Sequence, residues 1–386
     1  MEKFKIACII DTYSKGSYHE VINQSYLMMI AELYDKVIYI ADKSSCDNLR
    51  KLLDSCNVHY DNISFKEKNI VNIRYWGDGI NYILKLMVVS FLNYRYYITL
   101  PKGCDVFYNN NIFFAISLIS LLSKKNKRVF SMCHNEMELI KFDMANSLAT
   151  KLLSRYFNFI FNKTRINKIF HFILLSPKMV DYFSSFISKE ENRRVLFSID
   201  HAYIRPTNSE YQSKIKDTRR KIGITGALNK SRGLNSLRYI LNKISNKDIC
   251  IYSLSSCPEM VDSPQFVRLN DLNRLLPFEE YNSNVRSMDA VLLLYDTDSY
   301  KLTASGAILE AIWNMKPIIA LRNDYFDYIF RKFGNMGVLC DNIDQLCIKL
   351  EIFENKEEYF MSLEKAKQAL VPGSVKMQLL EIIKHD

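Results

Sequence analysis

The 386-residue chain predicts an α/β protein built from two doubly wound domains. Three observations predict it. Short apolar runs alternate with amphipathic stretches, the rhythm halts once near the middle and restarts, and the length exceeds what one core usually organises. "KFKIACIID" reads as a strand, "HEVINQSYLMMIAELY" as a helix and "KVIYIAD" as the next strand. A right-handed crossover joins such strands in parallel. "DVFYNN", "KRVFSMCH", "FHFILLS" and "RVLFSID" continue the sheet. In "HAYIRPTNSEYQSKIKDTRR" polar residues and one proline replace the apolar rhythm, as in a linker. The rhythm resumes with the strand "KIGITGAL", the helix "RGLNSLRYILNKI" and the strands "DICIYSLS", "DAVLLLYD" and "KPIIAL". The expected division is an N-terminal domain over 1–205, a C-terminal domain over 206–370, and a last segment, 371–386, whose helix "SVKMQLLEIIKHD" returns to the first domain. Two such sheets with facing carboxyl ends leave a cleft for a ligand.

Composition excludes several classes. Hydrophobic residues make up 48% with no low-complexity block, which excludes a disordered chain. The longest apolar runs, such as "IFFAISLISLL", fall short of the roughly 18 residues a membrane span needs. The N-terminus enters a strand-like run at once, without a signal-type core or cleavage site, so secretion is not expected. Nine cysteines without a CxxC pair predict reduced thiols and a cytoplasmic location. Charge is uneven: residues 1–205 hold 28 Lys+Arg against 19 Asp+Glu, the remainder 24 against 23. A basic first half fits an anionic partner, and a basic solvated surface fits equally.

Several stretches carry chemistry. In "GITGALNKSRGL" a glycine turn leads from strand to helix at Gly226, exposing backbone N–H groups where an anion is favoured, with Lys230 and Arg232 nearby to bind a diphosphate. In "YKLTASGAILEAIWNMKPIIAL" Ser305 and Gly306 open a helix on which Ala307, Glu310, Ala311 and Asn314 share one face, while Ile308, Ile312 and Trp313 point to the core. Glu310 there can accept hydrogen bonds from a vicinal diol such as ribose, or be an ordinary solvated glutamate. Asp296 and Asp298 in "YDTDSY" have a spacing that also occurs in divalent-ion sites, although loop carboxylates are commoner. "MCHNEMEL" places His134 and Glu136 just after a strand, where either can act on a proton. Tyr13 and Gly16 lie in "DTYSKGSYHE", read as a flexible loop after the first strand or as a plain turn. "SLATKLLSRYFNFIFNKTRINKIFHF" interleaves aromatic residues with Lys151, Arg155, Lys163, Arg165 and Lys168, a pattern of membrane-surface helices and of core helices with a basic edge alike.

The succession "GITGALNKSRGL", "LPFEEYNSNVRSMDAVLLLY", "SYKLTASGAILEAIWNMKPIIAL" and "GNMGVLCDN", over residues 223–342, resembles the donor-binding domain of GT-B glycosyltransferases, particularly the family 4 type. The resemblance implies a GT-B fold, two Rossmann-like domains facing across a cleft. It implies that the turn at Gly226 holds the diphosphate with help from Arg232, that Glu310 binds the ribose, and that backbone near Leu276 meets the nucleobase. His134, with Glu136 close by, would face donor sugar and acceptor, and the loop of Tyr13 and Gly16 would cover the acceptor. Two positions depart from the family pattern. Ala227 stands where an arginine usually follows the turn glycine, leaving Lys230 to compensate. Leu302 stands where the first acid of an E-x7-E pair would meet the donor sugar, leaving Thr303 and Ser305 as the nearest polar groups. The implied activity is transfer of a sugar from a nucleotide-diphosphate sugar to a glycan or lipid-linked glycan in bacterial-type surface polysaccharide synthesis, with no metal and no cofactor beyond the donor. A GT-B nucleotide-sugar epimerase and a non-catalytic binding scaffold are the alternatives. The basic half carries no RNA or DNA motif, so nucleic acid is not an expected partner.

Overall fold

The computed structural model describes residues 3–16, 19–70, 80–109, 114–122, 127–134, 136–141, 147–206, 211–213, 215–229, 232–270, 276–295 and 301–385. The chain divides into two compact units: Met1–Pro206 with Leu302–Ala304 and Leu370–Asp386, and Thr207–Lys301 with Ser305–Ala369.

In the first unit, β1 (Phe4–Ile10), α1 (Glu20–Leu33), β2 (Tyr34–Asp42), α2 (Lys43–Ser55) and β3 (Ile63–Lys68) wind to one side. The long α3 (Ile80–Thr99) then leads to β4 (Asp105–Tyr108), α4 (Ala115–Leu122), β5 (Val129–Met132) and α5 (Leu148–Asn162). The unit continues through β6 (Phe170–Leu174), α6 (Pro177–Ser185), α7 (Glu190–Arg193) and β7 (Leu196–Ser198). Its strands pair in parallel in the order β3-β2-β1-β4-β5-β6-β7, so the winding reverses between β1 and β4. "DVFY", "VFSM" and "FHFIL" are buried at every position, as expected of parallel strands covered on both faces.

The second unit repeats the plan with β8 (Arg220–Ile224), α8 (Leu234–Lys243), β9 (Ile249–Ser253), β10 (Phe266–Arg268), α9 (Phe278–Arg286) and β11 (Ala290–Leu293). It goes on through α10 (Gly306–Trp313), β12 (Ile318–Leu321), α11 (Asp324–Phe333), β13 (Gly337–Cys340), α12 (Ile343–Glu351) and α13 (Glu357–Leu370). The parallel order is β10-β9-β8-β11-β12-β13, reversing between β8 and β11. Side-chain caps fix where helices begin: Asn323 accepts from Phe326 N at 2.9 Å before α11, and Asn342 from Gln345 N at 2.9 Å before α12.

Beyond α13, α14 (Pro372–Lys384) belongs to the first unit and packs along α1. Lys376 pairs with Glu32 there, and Arg128 donates to the Ile383 carbonyl while forming an ion pair with Asp105.

Two differences from the sequence expectation have physical causes. β3 and β10 are not among the strands expected from the sequence: β3 is largely exposed and β10 is three residues long, so neither has a continuous apolar run. Residues 302–304 group with the first unit although the sequence places them inside the second domain. Leu302 N and Thr303 Oγ1 both donate to Glu138 Oε1, at 2.6 and 3.3 Å.

Candidate functional site

In open parallel sheets a ligand binds beyond the strand carboxyl ends where the winding reverses. In the second unit that point lies between β8 and β11, and the turn leaving β8 is built close against its neighbours. A side chain at Gly226 would place its Cβ 2.4 Å from the Tyr295 hydroxyl, so the Tyr295 side chain leaving β11 fills the space over this glycine. Tyr281, on α9, donates to the Thr225 carbonyl at 3.0 Å, and Thr225 Oγ1 reaches the Ala307 carbonyl at 3.5 Å. The turn therefore sits beside the first turn of α10. Gly233 takes a left-handed φ of 83° just before α8, where an added Cβ would meet Leu294 O at 2.7 Å. Arg232 is exposed in this turn, its N–H donating to Asn229 O at 2.9 Å. Lys230 lies outside the described residues, as do Asp296 and Asp298.

The start of α10 has the features of an anion seat. The first N–H groups of a helix have no intrahelical partners. Ser305 takes the capping position, yet its side chain makes no cap bond, and the hydroxyl, on a residue 1% exposed, has no partner among the described residues. Beside it Gly306 faces open space: a Cβ added there meets no heavy atom within 4 Å. One turn on, Glu310 is 7% exposed, which removes the solvated-glutamate reading, and it shares its face with the buried Ala307 and Ala311. Ile308 and Ile312 are in the core as expected. Trp313 is only half-buried, with Lys367 Nζ 4.9 Å above its ring, because it ends the helix rather than facing the sheet. Leu302 is buried at the position of the missing acid. Leu276 is half-buried one residue before Pro277, which opens α9.

In the first unit the reversal lies between β1 and β4, and a buried polar chain runs across it. Asp11, just past β1, accepts from Asn23 Nδ2 at 2.7 Å, and Asn23 Oδ1 accepts from Asn109 Nδ2 at 3.2 Å. The Asn109 carbonyl, just past β4, lies 3.1 Å from His134 Nε2, just past β5. A carbonyl only accepts, so Nε2 carries the proton and Nδ1 is the accepting nitrogen. The His19 ring lies 5.3 Å from His134, and the Tyr26 ring stacks at 6.1 Å. His19 itself adopts φ 57°, a left-handed conformation rarely held without cause. Burial, reinforced by His19, brings the His134 imidazole down to about 3. The sequence offers His134 as a group that positions the acceptor or takes its proton; in either role the neutral ring presents Nδ1 as its accepting atom. Glu136 opens a 3-10 turn, Glu136–Ile140, and its side chain lies outside the described residues.

Sequence reasoning missed two members. Glu138, in that 3-10 turn, holds residues 302 and 303 and pairs with Lys141 at 2.9 Å. His201, three residues past β7, is 2% exposed, and neither ring nitrogen has a partner among the described residues. Burial, with His134 nearby, brings it down to about 3 as well. Its neighbour Asp200 is gripped by Gln378 of α14, which accepts from Asp200 N at 2.8 Å and donates to Asp200 Oδ2 at 2.5 Å.

The loop of Tyr13 and Gly16 is pinned at several points. Tyr13 N and Ser14 N donate to Asp11 Oδ1 at 3.2 and 2.9 Å, Thr12 Oγ1 donates to Asn93 Oδ1 at 2.6 Å, and Gly16 N donates to Ser44 Oγ at 3.0 Å. Lys85 Nζ lies 4.9 Å over the Tyr13 ring.

No family model and no curated protein sequence matches this chain. Solved structures do. A Staphylococcus aureus TarM mutant in complex with fondaparinux, alpha-GlcNAc-glycerol and UDP superposes with a TM-score of 0.59 at 11% identity, covering 99% of this chain and 100% of that one. WaaG, a glycosyltransferase involved in lipopolysaccharide biosynthesis, gives 0.57 at 13% identity, covering 99% and 100%. A putative UDP-N-acetylglucosamine 2-epimerase from Listeria monocytogenes gives 0.54 at 13% identity, covering 99% and 96%. With two parallel sheets of seven and six strands and these full-length likenesses, the chain has the α/β two-domain GT-B fold.

Proposed function

We propose that this protein is a glycosyltransferase that moves a sugar from a nucleotide-diphosphate sugar to a hydroxyl of a glycan or lipid-linked glycan in surface polysaccharide synthesis. The observation that carries the reading is the second unit's reversal point, where the Gly226 turn adjoins the first turn of α10 and a buried Glu310 lies one turn further on. The first N–H groups of α10 and the exposed Arg232 suit a diphosphate, and Glu310 suits the ribose diol. TarM was captured with UDP, which fits a nucleotide diphosphate as ligand in kind.

In the proposed reaction the bond from the anomeric carbon to the diphosphate oxygen breaks, and the acceptor oxygen bonds to that carbon. Negative charge grows on the diphosphate, where Arg232, Lys230 and the N–H groups at Gly226 and Gly306 stabilise it without a metal ion. His134 or Glu136 positions the acceptor hydroxyl or takes its proton; in a retaining reaction the departing phosphate oxygen takes that proton instead. The protein works on the cytoplasmic side, at the membrane surface where a lipid-linked acceptor resides.

Calorimetric titration with UDP, GDP and ADP tests the anchor. One of them binds, with unchanged affinity in EDTA, and Glu310→Ala and Arg232→Ala each weaken binding about tenfold or more, as loss of a charged hydrogen bond implies. Unchanged affinity in both variants overturns the assignment. The epimerase reading is favoured by the Listeria likeness and by the apolar Leu302. Epimerised nucleotide sugar appearing without any acceptor would decide for it.

A further inference from the structure

We infer that α3, with α4 and α5, forms a bilayer-docking face for anionic lipid, led by a helix that the sequence pattern did not single out. The inference deepens the preceding reading, resting on it only for the lipid-linked nature of the acceptor.

α3 packs against α4 and α5 in the first unit. Its outward stripe consists of Leu84, Met87, Phe91 and Ile98, each about half exposed, with Phe91 reaching 60%. These positions recur every three to seven residues, so they form one line about 21 Å long at 1.5 Å per residue. A helix on a water-facing surface normally carries its polar residues there; this one reverses the rule. α4 adds Leu121, 81% exposed, and α5 adds Leu148, 75% exposed, with Leu152 and Phe159. Exposed apolar side chains thus recur on α3 and on both helices packed against it, as on an interaction surface.

Charge selects the occupant. Residues 80–99, 115–122 and 148–168 contain no Asp or Glu at all. The exposed cations Arg95, Lys151 and Arg155 lie among the apolar residues, and Lys163 follows at the end of α5. A second copy joined symmetrically through these three helices would bring their cations against cations, since the helices themselves carry no carboxylate. Lipid headgroups bearing phosphate supply the missing anions, and the acyl boundary takes the apolar stripe. Among the described residues no helix is long and apolar enough to cross a membrane, so the helices lie in the interface plane.

Co-sedimentation of the full chain with vesicles of phosphatidylcholine alone, or mixed with phosphatidylglycerol, tests this. Binding is expected on the mixed vesicles and reduced by salt. Met87→Ser with Phe91→Ser should lower the partition coefficient about tenfold or more, and Lys151→Ser with Arg155→Ser should weaken binding selectively on the anionic vesicles. Nucleotide titration and circular dichroism on the same variants should be unchanged, which separates this outcome from failure of the donor assignment. Equal binding of parent and variants to both vesicle types, or absence of vesicle binding, overturns the proposal. So does a dimer in solution that Met87→Ser with Phe91→Ser dissociates, since another copy then covers the face.

Discussion

Glu310 and His201 show what single residues reveal. The place of Glu310 on one helix face with Ala307 and Ala311 was legible from spacing, but its burial was not, since a solvated glutamate fits the same spacing. His201 was not legible. It sits in a polar stretch that reads as linker, and its neighbour His134 is far away in sequence; parallel-sheet topology brings their strand ends together. Its burial has a measurable result. A histidine near 6.5 in the unfolded chain and about 3 when folded contributes stability that is fully present above pH 6.5. That contribution is lost as pH falls from 6.5 toward 3, because the unfolded chain then binds the extra proton. Each such histidine lowers the unfolding free energy by up to about 1.4 kcal/mol per pH unit in this window. Burial raises Asp11 and Glu20, which act in the opposite sense, but these are common to parent and variant. Urea midpoints between pH 7 and pH 5 should therefore fall less steeply in His201→Gln than in the parent. Identical slopes would mean the imidazole is not held neutral.

Among elements, central strands and amphipathic helices were legible because burial on both faces or on one imposes a repeating pattern. Two edge strands were not: β3 is largely exposed and β10 only three residues long, whereas the edge strand β7 lies in the apolar run "RVLFSID". The outer stripe of α3 was missed for the opposite reason, since an apolar residue in a sequence is assigned to the core unless a structure shows it facing water. The β8-to-α8 turn gives an element-scale prediction. Gly233→Ala forces a left-handed φ on a residue with a side chain and drives its Cβ into the Leu294 backbone, together costing roughly 2 to 5 kcal/mol. A chemical denaturation curve should show the second unit's transition moved by that amount. A loss below about 0.5 kcal/mol would show that the turn relaxes freely.

On the scale of the whole molecule, the repetition of one winding plan was readable from rhythm alone. The membership of residues 302–304 was not, because it depends on hydrogen bonds that Leu302 N and Thr303 Oγ1 donate to Glu138 across more than 160 positions of sequence. The position of α14 yields a prediction at this scale. A chain stopped at residue 370 loses the helix that covers α1 and the Gln378 grip on Asp200 beside His201. Its first unit should become protease-sensitive and unfold at lower urea, while the second unit keeps its own transition; an unaltered first unit would show α14 to be ornamental. The same arrangement governs birth of the protein on the ribosome. Nascent residues 1–206 emerge early yet wait, with one flank of α1 uncovered, until every residue of the later lobe has been translated. The amino-terminal half is thus the last to be finished, and that interval is when a chaperone has most to shield.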